Sequence, residues 1–292
     1  RAIAPNDPQI LTAYTLARVR LWFFGGEGSA ELAREVAERA VALAPDRGDT
    51  RCALAAVKYQ EGDLPGAIHD LRRALVLSPA LADAHDIMGR ILAETGPASQ
   101  AIHHLETAAR LDPEFSHLTW SVARVRALTG AWKEANRLMD GMLDDEQRVS
   151  FGWITAARLA AWQRDESRIR QLLAHPQLAA GASPPALFIL HLALDPEPTA
   201  DVLSVVTRTL GAAHTSWRTL AFLHQAQAEV ALAQGKVDDA FAELEAATNA
   251  GLIDVLFLDG CPIFDKLRGD PRWAPIRARV GVRVKLVHDA LR

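Results

Sequence analysis

Residues 45–113 read PDRGDTRCALAAVKYQEGDLPGAIHDLRRALVLSPALADAHDIMGRILAETGPASQAIHHLETAARLDP, and one register recurs through them every 34 residues. Pro45, Pro79 and Pro113 mark the period; Gly62, Gly96 and Gly130 keep it, as do Ala67, Ala101 and Ala135. Leu71 and Leu105 continue it to Met139, and Ala74 and Ala108 to Met142. Each unit reads as a helix, a tight turn at the glycine, a second helix and a closing proline. Glycine reaches backbone angles closed to other residues, and proline just past a helix cannot continue it. Ala55, Gly89 and Ala123, also 34 apart, place a small residue on the first helix opposite the early alanine of the second. Such pairs let two helices approach closely. Leu54, Met88 and Val122 fill the core between them.

A 34-residue helix-turn-helix period resembles the tetratricopeptide repeats, in which one hairpin cannot bury its apolar face and neighbours must stack. The resemblance implies an all-α, right-handed superhelical solenoid of about seven antiparallel helix pairs with a C-terminal cap. The chain divides into an N-terminal array over 1–175, an irregular helical seam over 176–214 and a C-terminal pair with capping helices over 215–292. The best repeats are 48–79, 82–113 and 116–147.

Outside that centre the period loosens. A first helix over 7–24 starts at Asn6 or Asp7, and GGEGS at 25–29 breaks it from AELAREVAERAVALAP at 30–45. That glycine-rich turn lacks the ending of a phosphate loop. Unit 116–147 loses its proline to Asp144, Asp145 and Glu146, and the pair 150–163 and 167–175 lacks the turn glycine. The seam carries helices at 186–194 and 198–211 between proline-rich stretches. The period returns over 216–234 and 237–249, split by Gly235.

The stretch LIDVLFLDGCPIFDKLRGDPRWAPIRARVGV at 252–282 resembles the close of tetratricopeptide regions in large bacterial signalling proteins. Those are serine/threonine kinases, adenylate cyclases and winged-helix regulators. Phe264, Asp265, Leu267, Arg268, Asp270, Pro271, Arg272, Trp273, Arg279 and Gly281 carry the likeness; Cys261 stands where an acidic residue is more usual. The likeness implies a cap on the array, not a catalytic site. The chain begins at Arg1, which fits a segment of a longer protein or a processed export signal.

Of the 292 residues 49% are hydrophobic, and the net charge is −4. Nucleic-acid binding needs a basic surface, so none is expected, although residues from Asp265 onward carry eight Lys or Arg against three Asp. No apolar run approaches the ~20 residues of a membrane helix. Cys52 and Cys261 lie far apart, in no metal or redox spacing, which fits a reducing cytoplasm; a removed signal peptide would make the chain periplasmic or secreted. Ten histidines form no ligand pattern: His103 and His104 diverge on a helix, and His69 and His103 read as a solvated outer face. No catalytic residues, metal site or cofactor are expected.

A ladder on the first helices does stand out. Arg90, Arg124 and Arg158 occupy equivalent places in consecutive units, with Asp86, Trp120 and Ile154 one turn earlier and Tyr59 and Trp162 near the same face. In the repeat family the first helices line the concave groove. Arginine suits bidentate carboxylate binding and aromatic rings suit apolar anchoring. The expected partner is therefore a protein or peptide, acidic or carboxylate-bearing. The same residues admit a local reading, with Arg90 on Asp86, Arg124 over Trp120, and both tryptophans in the core. A small-ligand-sensing array that regulates a domain outside the chain, and a self-assembling array, stay open as alternatives.

Overall fold

Two 14-residue helices joined by a left-handed glycine make the repeating unit. In the computed structural model, which describes residues 6–23, 30–112, 117–143, 152–195 and 216–292, this unit appears as α3 (Gly48–Glu61) and α4 (Leu64–Leu77), then α5 (Ala82–Thr95) and α6 (Ala98–Leu111). Gly62 and Gly96 adopt φ of 85° and 108°, angles that only glycine takes without strain. Asp63 then caps α4 by accepting from the Gly66 amide at 3.0 Å, with Pro65 in the first turn. Before them come α1 (Pro8–Phe23) and α2 (Ala30–Leu43); after them come α7 (His117–Leu128) with α8 (Trp132–Leu143), and α9 (Gly152–Gln163) with α10 (Glu166–Leu173). Asp7 starts α1, its carboxylate accepting from the Gln9 amide at 2.8 Å.

The small residues sit at the helix crossings. Ala55, Ala67, Ala101, Ala123, Ala135 and Ala157 are fully buried. A Cβ added to Gly89 would lie 2.8 Å from Leu105 Cγ, so the first and second helices of that hairpin meet without room for a methyl. The hairpin without a turn glycine keeps the turn all the same. Arg164 falls 34 residues after Gly130 and takes φ 52°, and Asp165 caps α10 by accepting from the Arg168 amide at 2.9 Å. The period persists there in backbone angle after it has vanished from residue type.

The seam contains α11 (Pro176–Ala179), a single turn, and α12 (Pro184–Leu194), which packs on α9 and α10. The expected turn at 25–29, the acidic stretch Asp144, Asp145 and Glu146, and the helix over 198–211 lie outside the described residues. The C-terminal hairpin is α13 (Trp217–Ala233) with α14 (Val237–Asn249), turned by Gly235. The cap follows as α15 (Val255–Gly260), a 3₁₀ turn at Pro262–Phe264 and α16 (Trp273–Leu291). No strand occurs among the described residues.

The motif residues of the cap have structural work. Arg268 closes the end of α15 by donating to the Leu258 carbonyl at 3.1 Å and the Cys261 carbonyl at 2.8 Å. Phe264 stands between Phe257 and Trp273, with ring centroids 4.8 and 5.4 Å away. Arg272 lies 4.0 Å over the Phe241 ring and ties the cap to α14. Cys52 and Cys261 are free and buried, and burial pushes both thiols well above their ordinary pKa.

The cap also turns back on the array. α16 runs along α4, where Arg72 donates to the Ala290 carbonyl at 3.1 Å, and His288 Nε2 lies 3.0 Å from the Thr95 carbonyl. α15 packs on α5 and α7, and α13 on α3 and α12. Ile253 and Val287 belong to the same apolar core as α3 to α6. A stack of hairpins in which each touches only its neighbours has become a closed body.

Candidate functional site on the inner face

The first helices α3, α5, α7 and α9 present one face toward α13 and α15, and Arg90, Arg124 and Arg158 stand on it. Each meets a carboxylate. Arg90 Nη2 lies 3.1 Å from Asp86 Oδ2, one turn back on α5. Arg124, mostly buried, donates to the buried Asp254 at the head of α15. Arg158 takes Glu229 of α13 in a two-point contact, with Nε 3.1 Å from Oε2 and Nη2 on Oε1. Trp162 Nε1 donates to the same Oε2 at 2.7 Å. The face is therefore not open to solvent as the repeat pattern predicts: the chain's own C-terminal half lies on it.

Rings sheathe these cations. The Arg158 guanidinium is 4.9 Å from the Trp162 centroid, 5.5 Å from Phe222 and 5.7 Å from Phe257. Arg124 lies 5.9 Å from Phe257. Trp120 is half-buried against the C-terminal core, as is Ile154. Tyr59 is buried, and Arg218 sits 4.1 Å above its ring. Burial pushes the Tyr59 hydroxyl above the ordinary tyrosine range, against the pull of Arg218.

Two members of this face escape a search for cations. Gln60 and Glu94 are 34 apart, and Glu94 lies one turn beyond Arg90 on the same stripe. Glu94 receives Arg218 of α13 through two bonds of 2.6 and 2.7 Å, and Gln60 accepts from Ser216 at 3.0 Å. Burial alone would raise the Glu94 pKa, but Arg218 holds it below the ordinary range. Asp254 goes the other way, with burial outweighing Arg124. Four polar ties, at Gln60, Glu94, Arg124 and Arg158, thus run along α3, α5, α7 and α9 in order. The spacing of Glu94 from Arg90 marks it as a stripe member, but no local signal marks Asp254 or Glu229, which lie 130 and 71 residues from their partners.

Among the histidines, His69 and His103 are exposed, while His104 is half-buried and its Nδ1 lies 2.9 Å from His85 Nδ1 on the neighbouring helix of its own hairpin. Burial, with His85 and His103 alongside, pushes the His104 pKa down to about 4. No group of three or more His, Cys, Asp or Glu side chains suited to a metal ion occurs among the described residues.

Yeast Tom70 is similar to this chain at a TM-score of 0.52 with 15% identity, over 92% of this chain and 58% of Tom70. The fold is that of a tetratricopeptide-repeat solenoid. This solenoid spans less than two thirds of Tom70's length. Pseudomonas aeruginosa PilF is similar at 0.48 with 16% identity, covering 93% of this chain and 96% of PilF. A tetratricopeptide repeat protein from Parabacteroides merdae is similar at 0.49 with 13% identity, covering 94% of this chain and 98% of that one. No family profile and no curated protein matches the solenoid in sequence. No described helix is long and apolar enough to cross a membrane.

Proposed function

We propose that this solenoid is a protein-binding scaffold, a regulatory region of a larger bacterial signalling protein, and that its inner face takes an acidic segment of a partner. One observation carries the reading: Arg124 and Arg158 already hold carboxylates presented by a distant segment of the same chain. A face that seats Asp254 and Glu229 beside Phe257 has the chemistry to seat a partner's carboxylates flanked by an apolar ring. The partner competes with residues 216–260 for the same cations. Charge-assisted contacts of this kind contribute about 1.5–3 kcal/mol each.

The test is a pull-down from the source cell with three forms of the chain. Wild type is compared with a loosened form, Asp254→Asn with Glu229→Gln, and with Arg124→Glu. The loosened form is expected to capture more of the same acidic partners, because its own segment competes less well. Arg124→Glu is loosened too, yet it is expected to lose them by tenfold or more. Capture by the loosened form should fall as salt shortens the Debye length to ~3 Å near 1 M. Equal capture by all three forms at every salt concentration would place the binding surface off the inner face.

A further inference from the structure

We infer that a cavity between α9, α12 and α13 is a binding site for a small apolar carboxylate. Its volume is about 500 Å³, within the range of pockets that enclose drug-sized ligands. Ile154, Trp162, Phe188, Leu192, Phe222 and Val230 line it, an apolar wall with three aromatic rings. Phe222 is a large apolar side chain left 38% exposed beside it. A cavity of this composition gives water few polar partners, so an apolar occupant gains by displacing it.

The charged groups of the lining decide the head group. They are Arg158, Arg164, Glu166 and Glu229. Arg158 and Glu229 saturate each other at the wall. Glu166 at the mouth has Arg170 at 3.6 Å. Arg164 is exposed, and its guanidinium has no acidic partner among the described residues. Its backbone sits in the turn, where it replaces the glycine of the other hairpins at φ 52°. One uncommitted guanidinium at the mouth of an aromatic cavity selects an apolar body ending in a carboxylate, which arginine can grip at two points. A cationic head group is disfavoured, because Trp162 and Phe222 already face Arg158.

Isothermal titration of the whole chain with laurate, and with methyl laurate as its uncharged counterpart, tests this. Laurate is expected to bind with micromolar affinity and the ester more weakly. Arg164→Glu, at an exposed turn position, should weaken laurate by tenfold or more and leave the ester unchanged. Ala226→Trp fills the cavity from α13 and should abolish both, with circular dichroism confirming a cooperative melt; if that variant does not fold, Ala226→Leu replaces it and should weaken both. Absence of laurate binding to wild type overturns the proposal. So does binding that survives filling at Ala226, which would put the probe elsewhere. Equal loss of acid and ester on Arg164→Glu overturns the assignment of the head group.

Discussion

Removing the Glu229 carboxylate should release the C-terminal half from α9 at a cost that can be worked from its surroundings. The Arg158 side chain is 9% exposed and that of Glu229 12%, and three rings enclose the guanidinium. Stripping one partner from a buried pair costs about 3–5 kcal/mol, because the remaining charge stays out of water. Trp162 Nε1 loses its acceptor in the same step, a further ~1–3 kcal/mol that overlaps the first. Glu229→Ala should therefore lower stability by about 3–5 kcal/mol, read by urea denaturation followed through tryptophan fluorescence. Arg158→Leu with Glu229→Leu should recover most of the loss, since an apolar pair of similar volume is close to neutral in such sites. A loss below 1 kcal/mol in Glu229→Ala, or a double variant as unstable as the single, would refute the claim that a desolvated charge holds α13 to α9. A two-step transition would add that the C-terminal half detaches before the hairpins melt.

Three further outcomes follow from the geometry. Gly260→Ala would put a Cβ 2.2 Å from the Leu128 carbonyl, backbone that cannot swing aside, so it should destabilise by at least ~1–3 kcal/mol in a thermal melt, whereas Gly130→Ala, with open space around it, should show only the ~1 kcal/mol of a left-handed alanine. Arg164→Gly should stabilise by about 0.5–1 kcal/mol in the same assay, the relief at φ 52° exceeding the added freedom of the unfolded chain. His104 is held at about 4 in the folded chain against an ordinary 6.5, so its contribution is whole above 6.5 and is lost as pH falls toward 4; unfolding free energies from urea denaturation at pH 7 and pH 5 should differ by about 1 kcal/mol on this account after allowing for its partial exposure, and His104→Gln should flatten that difference.

The hairpins were legible because their cause is local and repeats. A glycine that must take positive φ, an alanine that must fit a crossing and an aspartate that caps a helix each leave a residue in a fixed place. At Arg164 the backbone demand is still met, but by a residue that does not announce it, so the sequence shows a missing turn where the chain has one. The cation ladder was legible for the same periodic reason. What covers it was not. Asp254 and Glu229 reach Arg124 and Arg158 only after the whole array has curved, and nothing within a few residues of either one encodes that curvature. The likeness of the C-terminal motif to a cap pointed to Phe264, Arg268 and Trp273 as structural residues, and each is explained by a contact within the cap. It carried no hint that α16 would continue to α4.

Closure has a consequence for synthesis on the ribosome. Hairpins α1 to α10 bury their own faces as they emerge, yet the groups that cover the inner face arrive later, with Asp254 reaching Arg124 across 130 residues of chain. At ~5–20 residues per second, translation from the end of α9 to the end of α15 takes on the order of ten seconds. Throughout that interval Arg124, Arg158 and Tyr59 are folded into place without their eventual cover. A nascent chain therefore displays a cationic surface that the folded protein conceals, and a partner that offers acidic segments would meet it most readily before residues 216–260 have emerged.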